Sequence, residues 1–260
     1  MSNRSIHTLL KNWDEECPLT REEAVEVLNL PEEEMDSLME CAYALRTKYK
    51  GKKVSVQLLT NVRSGNCTQN CAYCAQSKDS QAEIEKYKRV SDEKLYGDND
   101  LVDEKHLARH CIGLSGIGFS DEEIEDLADR IREMKKKDTQ ICCSIGFLTE
   151  KQARILKDAG LDRINHNLNS SRSFYPEICT THTYDQRVNN IKMLQSLGFE
   201  ICSGGIVGMG ESKEDIVDML MDLREINPES VPINFLLPIP GTKLADRDIS
   251  ELTPDYCMKV

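Results

Sequence analysis

At 260 residues, with a net charge of -12 and a pI near 5.0, the chain has room for one large core. Its charge has the wrong sign for a nucleic-acid or anionic-membrane surface. No apolar run approaches the roughly 20 residues of a membrane span. Residues 1–10 carry neither a long apolar core nor a small-residue cleavage site, so a cytoplasmic location is expected.

The first 50 residues read as a helical segment. Thr20 with Glu23 forms a capping-box pattern. A second helix begins near Pro31, with Met35, Leu38, Met39, Ala42 and Leu45 on one stripe and Gly51 past its end. Residues 51–260 then alternate short apolar segments with amphipathic helices. Strands are predicted at 54–59, 111–114, 140–145, 163–167, 200–206 and 231–236. Helices open at Ser120 with Glu123, Thr149 with Gln152, Tyr184, and Ser212 with Asp215, and stops fall at Gly160, Gly198 and Pro228. This order predicts an α/β fold, a TIM-type (β/α) barrel with N-terminal helices and one barrel domain over 51–260. Two places resist the scheme. The helix wanted between Val90 and Cys111 is interrupted by Tyr96-Gly97-Asp98-Asn99-Asp100. Thr253-Pro254 caps a helix that barely begins before Val260, so the barrel is expected to be truncated after about six strand–helix units.

Eleven cysteines in a reducing compartment are not a disulfide framework. Cys17, Cys41, Cys179 and Cys257 read as small buried hydrophobes. Cys67, Cys71 and Cys74 do not. They lie within eight residues on the loop after the first strand, at the barrel mouth where such folds keep their active sites. Structural zinc normally takes four ligands in two separated pairs, and a redox Cys-x-x-Cys leaves Cys67 unexplained. Three thiolates on a [4Fe–4S] cluster leave one iron open for an exogenous ligand.

The run Cys67-x₃-Cys71-x-Tyr73-Cys74 is similar to the signature of radical S-adenosylmethionine (AdoMet) enzymes. Ile164-Asn165-His166-Asn167-Leu168-Asn169, Thr180-Thr181-His182-Thr183-Tyr184, Cys202-Ser203-Gly204-Gly205-Ile206-Val207-Gly208-Met209-Gly210-Glu211 and Val231-Pro232-Ile233-Asn234-Phe235-Leu236 resemble the biotin synthase family. The likeness runs from about residue 30 to the end. It implies a sulfurtransferase that converts dethiobiotin to biotin by 5′-deoxyadenosyl-radical hydrogen abstraction. It further implies sulfur from an auxiliary iron–sulfur cluster ([2Fe–2S] or a variant), a flavodoxin- or ferredoxin-type electron donor and a homodimer. Hydrogenase maturase-like and methylornithine synthase-like enzymes share the first motif, and an iron–sulfur electron carrier is a non-catalytic alternative.

By the same resemblance, Cys111, Cys142 and Cys202 match the auxiliary ligands. The family's fourth ligand, an arginine or in some members a cysteine, lies beyond Val260. Cys143 should face the other side of its strand. Tyr73, Asn169, Arg187, Ile206 and Val207 match AdoMet contacts, Asn169 standing where the family has an aspartate. Arg63, Asn167 and Asn234 match substrate contacts: two carboxamides for a ureido ring and a cation for a carboxylate tail. Gly204-Gly205 and Gly208-x-Gly210 do not have dinucleotide-fingerprint spacing.

Overall fold

The computed structural model describes residues 18–260, so Cys17 and the reading of residues 1–10 lie outside the described residues. The described chain begins with α1 (Arg21–Leu28), closed at its start by the Thr20–Glu23 capping box. A 3₁₀ turn over Glu32–Glu34 precedes α2 (Met35–Lys50), so the helix expected at Pro31 starts as a tighter coil. Leu28 packs with Val207, Ile216 and Val217, which docks the N-terminal segment onto the barrel wall.

Five strands form one parallel sheet in the order β1 (Gln57–Arg63), β2 (Arg109–Leu114), β3 (Ile141–Ser144), β4 (Arg163–Asn165) and β5 (Glu200–Cys202). A parallel pair, β6 (Gly205–Val207) and β7 (Ile233–Phe235), continues the wall through bridges Asn169–Gly205 and Cys202–Ser230. The crossovers are α3 (Asp92–Glu104), α4 (Asp121–Met134), α5 (Glu150–Asp158), α6 (Tyr175–Ile178) with α7 (Tyr184–Ser196), and α8 (Lys213–Ile226). A last helix, α9 (Pro254–Lys259), is capped by Thr253. Capping boxes start α4, α5, α7 and α8, each satisfying two orphan N–H donors. Leu95, Ile112, Ile124, Ile131, Ile164 and Leu156 are fully buried between sheet and helices. Among the described residues no helix is long and apolar enough to cross a membrane.

Three sequence expectations need correction. The first strand runs Gln57–Arg63 rather than 54–59, because the pairing with β2 begins at Gln57; Val54 and Val56 stay exposed. The single strand expected over 200–206 divides into β5 and β6. The Ser203 N–H turns to the Ser230 carbonyl, and a Cβ on Gly204 would sit 1.8 Å from the Pro232 carbonyl oxygen. Finally, α3 passes through Gly97-Asp98-Asn99-Asp100 without a break. Tertiary partners hold the polar residues: Thr60 donates to Asp98 at 2.6 Å, and Asn99 donates to the Met134 carbonyl at 3.1 Å while contacting His110 Nδ1 at 3.1 Å. These bonds outweigh the weak helix propensity of the segment.

Candidate active site

The loop after β1 is tied down at several points before it carries its cysteines. Ser115 Oγ donates to the Gly65 carbonyl at 2.6 Å, and the Gly65 N–H donates to Gln76 Oε1 at 2.7 Å. Gly65 has φ 72°, and a Cβ there would meet Lys86 Cγ at 2.6 Å, so the turn requires glycine. Cys67, Cys71, Cys74 and Tyr73 all line one cavity at the C-terminal ends of the strands. Burial pushes the Cys74 thiol and the Tyr73 hydroxyl above their ordinary pKa values.

A second loop, before α7, closes on the cysteine loop from the far side. The Ala72 N–H donates to the Ile178 carbonyl at 2.9 Å. Asn70 Oδ1 accepts from the Thr180 and Thr181 N–H groups at 3.0 and 3.2 Å, while its Nδ2 donates to Thr180 Oγ1 at 2.7 Å. This clamp sets Cys179 Sγ 3.9 Å from Cys71 Sγ and 3.3 Å from His182 Nδ1. Cys179 is buried in the main core as the sequence suggests, and its sulfur in addition meets a polar cluster. Of the two thiols, Cys179 is the more acidic: the hydrogen bond from Cys71 outweighs burial, with His182 and Thr181 adding to it.

Arg187 is held over the same cavity by three hydrogen bonds. Nε donates to Tyr175 Oη at 2.5 Å, Nη1 to the Asn167 carbonyl at 3.1 Å and Nη2 to His182 Nε2 at 2.8 Å. Asn169 adopts φ 73°, a left-handed conformation asparagine tolerates. Its N–H donates to the Gly204 carbonyl and its carbonyl accepts from the Ile206 N–H, which stitches β4 to β6 at the cavity wall. Asn167 Oδ1 accepts from the Gly204 N–H at 3.1 Å. His166, 2% exposed, also lines the cavity, and neither ring nitrogen has a hydrogen-bond partner among the described residues.

The second cavity lies deeper, toward the middle of the strands. Cys111 and Cys142 are register partners on β2 and β3, and Cys202 pairs with Asn165 across β4 and β5. All three thiols open on this cavity with Gln57, Leu59 and Arg163. The Cys111 thiol is held below its usual pKa because a hydrogen bond from Cys142 outweighs burial, assisted by Arg109 and Arg163. That same bond, with burial, pushes Cys142 up. Both guanidinium groups are anchored on Glu200, at 3.2 and 2.9 Å. Ser144 and Asn165 line both cavities and form the partition between them. Cys143 is fully buried in the outer core, as strand alternation requires.

Three expected contacts do not join these cavities through their side chains. Arg63 turns outward: a register shift between Asn61 and Arg63 breaks the inner row of β1, and Nη1 donates to Glu123 Oε1 at 3.0 Å over the Phe119 ring. Val207 is 1% exposed and packs outward against Ile216 and Val217, whereas Ile206 lines the cavity. Asn234 is exposed on β7, on the same face as its register partner Ile206 but outside the cavity lining. Cys41 packs on the small N-terminal cluster and Cys257 is half-buried on α9. Sequence reasoning passed over Cys179, His182, His166 and Asn165 as site residues. For Asn165 the signal was available: it stands two residues from Asn167 on the same inward row.

Two thiol trios and a buried arginine suit cofactors rather than acid–base catalysis. Among the described residues, the one set of three donors lying within 4.8 Å of one another is Cys71, Cys179 and His182. Cys67, Cys71 and Cys74 are not gathered that closely, and in an iron–sulfur cluster each such thiolate would bind a separate iron.

Comparison with known proteins agrees with this chemistry. The Radical SAM superfamily pattern matches residues 61–223. Biotin synthase of Geobacillus kaustophilus (strain HTA426) is 42% identical over 243 residues, covering 93% of this chain and 72% of that protein. Biotin synthase of Bacillus subtilis (strain 168) is 41% identical with the same coverage. Among solved structures, methylornithine synthase superposes with TM-score 0.83 at 18% identity, covering 96% of this chain and 73% of that one. A maturase of the [FeFe]-hydrogenase superposes with TM-score 0.79 at 19% identity, covering 98% and 58%. At these identities the structural likeness concerns the fold, a partial TIM-type barrel of the radical AdoMet kind.

Proposed function

The chain belongs to the biotin synthase family of the radical AdoMet superfamily, and from that membership we propose how its own residues serve the family's sulfurtransferase reaction. Its cofactors are a [4Fe–4S] cluster and AdoMet. We assign the cluster to Cys67, Cys71 and Cys74, and the AdoMet side of the cavity to Tyr73, Asn169, Arg187 and Ile206. Bound there, they supply a carbon-centred radical able to take hydrogen from an unactivated C–H bond, chemistry that no side chain provides.

The residues present fit that assignment. Arg187 spends three of its five N–H donors on Tyr175, Asn167 and His182, which leaves two on a rigid guanidinium for a carboxylate. His166 is buried beside the cavity with no side-chain partner for its ring nitrogens, which leaves polar capacity that a ligand there could use. Leu114, Ile145 and Phe147 give part of the cavity an apolar lining beside the position assigned to the reacting carbon.

Dethiobiotin is the substrate class implied by the family. With Asn167 Oδ1 bound to the Gly204 N–H, its NH₂ group is left to donate to a ureido carbonyl. Asn234, in register with Ile206, is the second carboxamide we assign to it. Arg63 is dropped from this set because it is committed to Glu123. We assign the auxiliary iron–sulfur cluster, the sulfur source, to Cys111, Cys142 and Cys202. One observation carries the reading: among the described residues Ser144 and Asn165 line both thiol-lined cavities, so the two adjoin and sulfur and radical chemistry can meet at a substrate between them. A flavodoxin- or ferredoxin-type donor, a homodimer and a cytoplasmic location complete the proposal.

The test is anaerobic reconstitution with iron and sulfide, followed by AdoMet and a reductant, with 5′-deoxyadenosine measured with and without dethiobiotin. Formation that rises with dethiobiotin supports the assignment. Cleavage indifferent to it keeps the radical class and overturns the substrate.

A further inference from the structure

We propose that Cys71, Cys179 and His182 form a second, mononuclear site for a soft divalent metal such as Zn²⁺, which shares one thiol with the cluster site and excludes the cluster while filled. The exclusion rests on assigning Cys71 to the cluster. The site itself does not, because it follows from donor geometry alone.

A tetrahedral site with metal–sulfur bonds of about 2.3 Å and metal–nitrogen bonds of about 2.0–2.1 Å has sulfur–sulfur edges of about 3.8 Å and sulfur–nitrogen edges of roughly 3.5 Å. The structure holds Cys71 Sγ and Cys179 Sγ at 3.9 Å, with Cys179 Sγ at 3.3 and 3.8 Å from the two His182 nitrogens. All three donors fall within 4.8 Å of one another. The donors are gathered at distances close to these edges, and a turn of the imidazole that carries Nε2 toward the two sulfurs completes the site. The two loops that carry the donors are also held together before any metal arrives. The 72–178 backbone bond and the Asn70 clamp lock together two loops more than 100 residues apart in sequence.

The chemistry of the donors agrees. Arg187 can only donate, so His182 Nε2 carries a lone pair and Nδ1–H donates to Gln69 Oε1 at 2.9 Å. A metal-bound histidine typically donates its other N–H to such an outer acceptor, which fixes the ring. Metal at Nε2 displaces the Arg187 and Tyr175 donors from that atom, and Arg187 keeps its bonds to Tyr175 and Asn167. Two thiolates neutralise a dication, and thiolate with imidazole selects zinc-type over calcium-type ions. Cys71 and His182 both line the open cavity, so a fourth position is left to water or a ligand. The inferred consequence is competition: a chain that has lost its cluster takes up Zn²⁺ through a ligand the cluster needs.

The experiment uses the full chain, freed of iron by chelation, with Cys67→Ser and Cys74→Ser to remove the other cluster thiols. Titration with Co²⁺ is expected to bind one ion per chain, with tetrahedral visible bands and thiolate-to-cobalt charge transfer. Adding Cys179→Ser should weaken binding at least about tenfold, with far-ultraviolet circular dichroism unchanged. An unaltered titration overturns the site. A measurement independent of these variants is zinc-edge X-ray absorption on the unmutated, iron-free chain. Two sulfurs with an imidazole nitrogen support the site, and three sulfurs without imidazole overturn it. Zn²⁺ loaded before iron and sulfide should cut cluster formation severalfold, and Cys179→Ser should relieve that block. Co²⁺ binding that depends on Cys179 without such competition would overturn the assignment of Cys71 to the cluster, not the metal site.

Discussion

Asn165 donates from its carboxamide to the Cys202 sulfur at 3.1 Å, and the same NH₂ group lies 3.4 Å from Asn167 Oδ1. One side chain thus touches a proposed cluster ligand on β5 and a proposed substrate contact just after β4. Hydrogen bonds to ligand sulfur are a principal control on iron–sulfur reduction potentials. Asn165→Leu is therefore expected to lower the potential of the auxiliary centre and to leave iron binding by Cys67, Cys71 and Cys74 intact. A redox titration with parallel iron counts checks both. An unchanged potential would mean that the contact is only structural.

Arg187→Lys preserves charge and removes the fork that reaches Tyr175, Asn167 and His182 at once. Losing one or two charge-assisted bonds costs about 1.5–3 kcal/mol, or about ten- to a hundredfold in AdoMet affinity. Calorimetric titration of the reconstituted protein reads this directly. Arg63→Lys, at a residue paired with Glu123 outside the cavity, should leave the affinity unchanged.

Inside α3 two neighbouring positions should respond in opposite directions. Asn99→Ala leaves the Met134 carbonyl and His110 Nδ1 without their partner and should cost about 1–3 kcal/mol. Gly97→Ala adds a methyl where no atom lies within 4 Å, on a helical backbone, and should stabilise by about 0.5–1 kcal/mol. Urea denaturation of the two variants compares them. A stabilising Asn99→Ala would remove the explanation given for the unbroken helix.

Stability should fall with acidity before the carboxylates titrate. Burial depresses His110 to about 4 and His166 to about 3. In the unfolded chain both take a proton near pH 6.5. Between these values the unfolded state binds more protons, so stability is full above about pH 6.5 and declines as pH falls toward 4. His110→Gln should flatten this decline without abolishing it, since His166 remains. Denaturant midpoints measured from pH 7.5 to 4.5 provide the test.

Gly204→Ala should be among the most damaging single changes. Its Cβ would sit 1.8 Å from the Pro232 carbonyl oxygen, a backbone atom that cannot yield without moving the strand. A loss of about 3 kcal/mol is expected from such overpacking. Loss of AdoMet binding should accompany it, because Gly204 also fixes Asn167 and Asn169.

The chain's own order of residues determined the features that local chemistry controls. Capping boxes, helix stops and apolar periods depend on neighbours a few residues apart, and they placed α4, α5, α7 and α8 close to where they lie. The Cys67-Cys71-Cys74 spacing is equally local, so the metal chemistry was legible. Strand alternation alone separated Cys142 from Cys143. What the tertiary structure decided depends on atoms far apart in sequence. The unbroken α3 follows from Thr60, His110 and Met134, and the split between β5 and β6 from Pro232 and Ser230. The outward turn of Arg63 follows from one register shift against β2. Cys179 reads in sequence as a small hydrophobe. Only the clamp joining its loop to Cys71 makes it a potential ligand, because spacing along the chain carries no information about a partner 108 residues away.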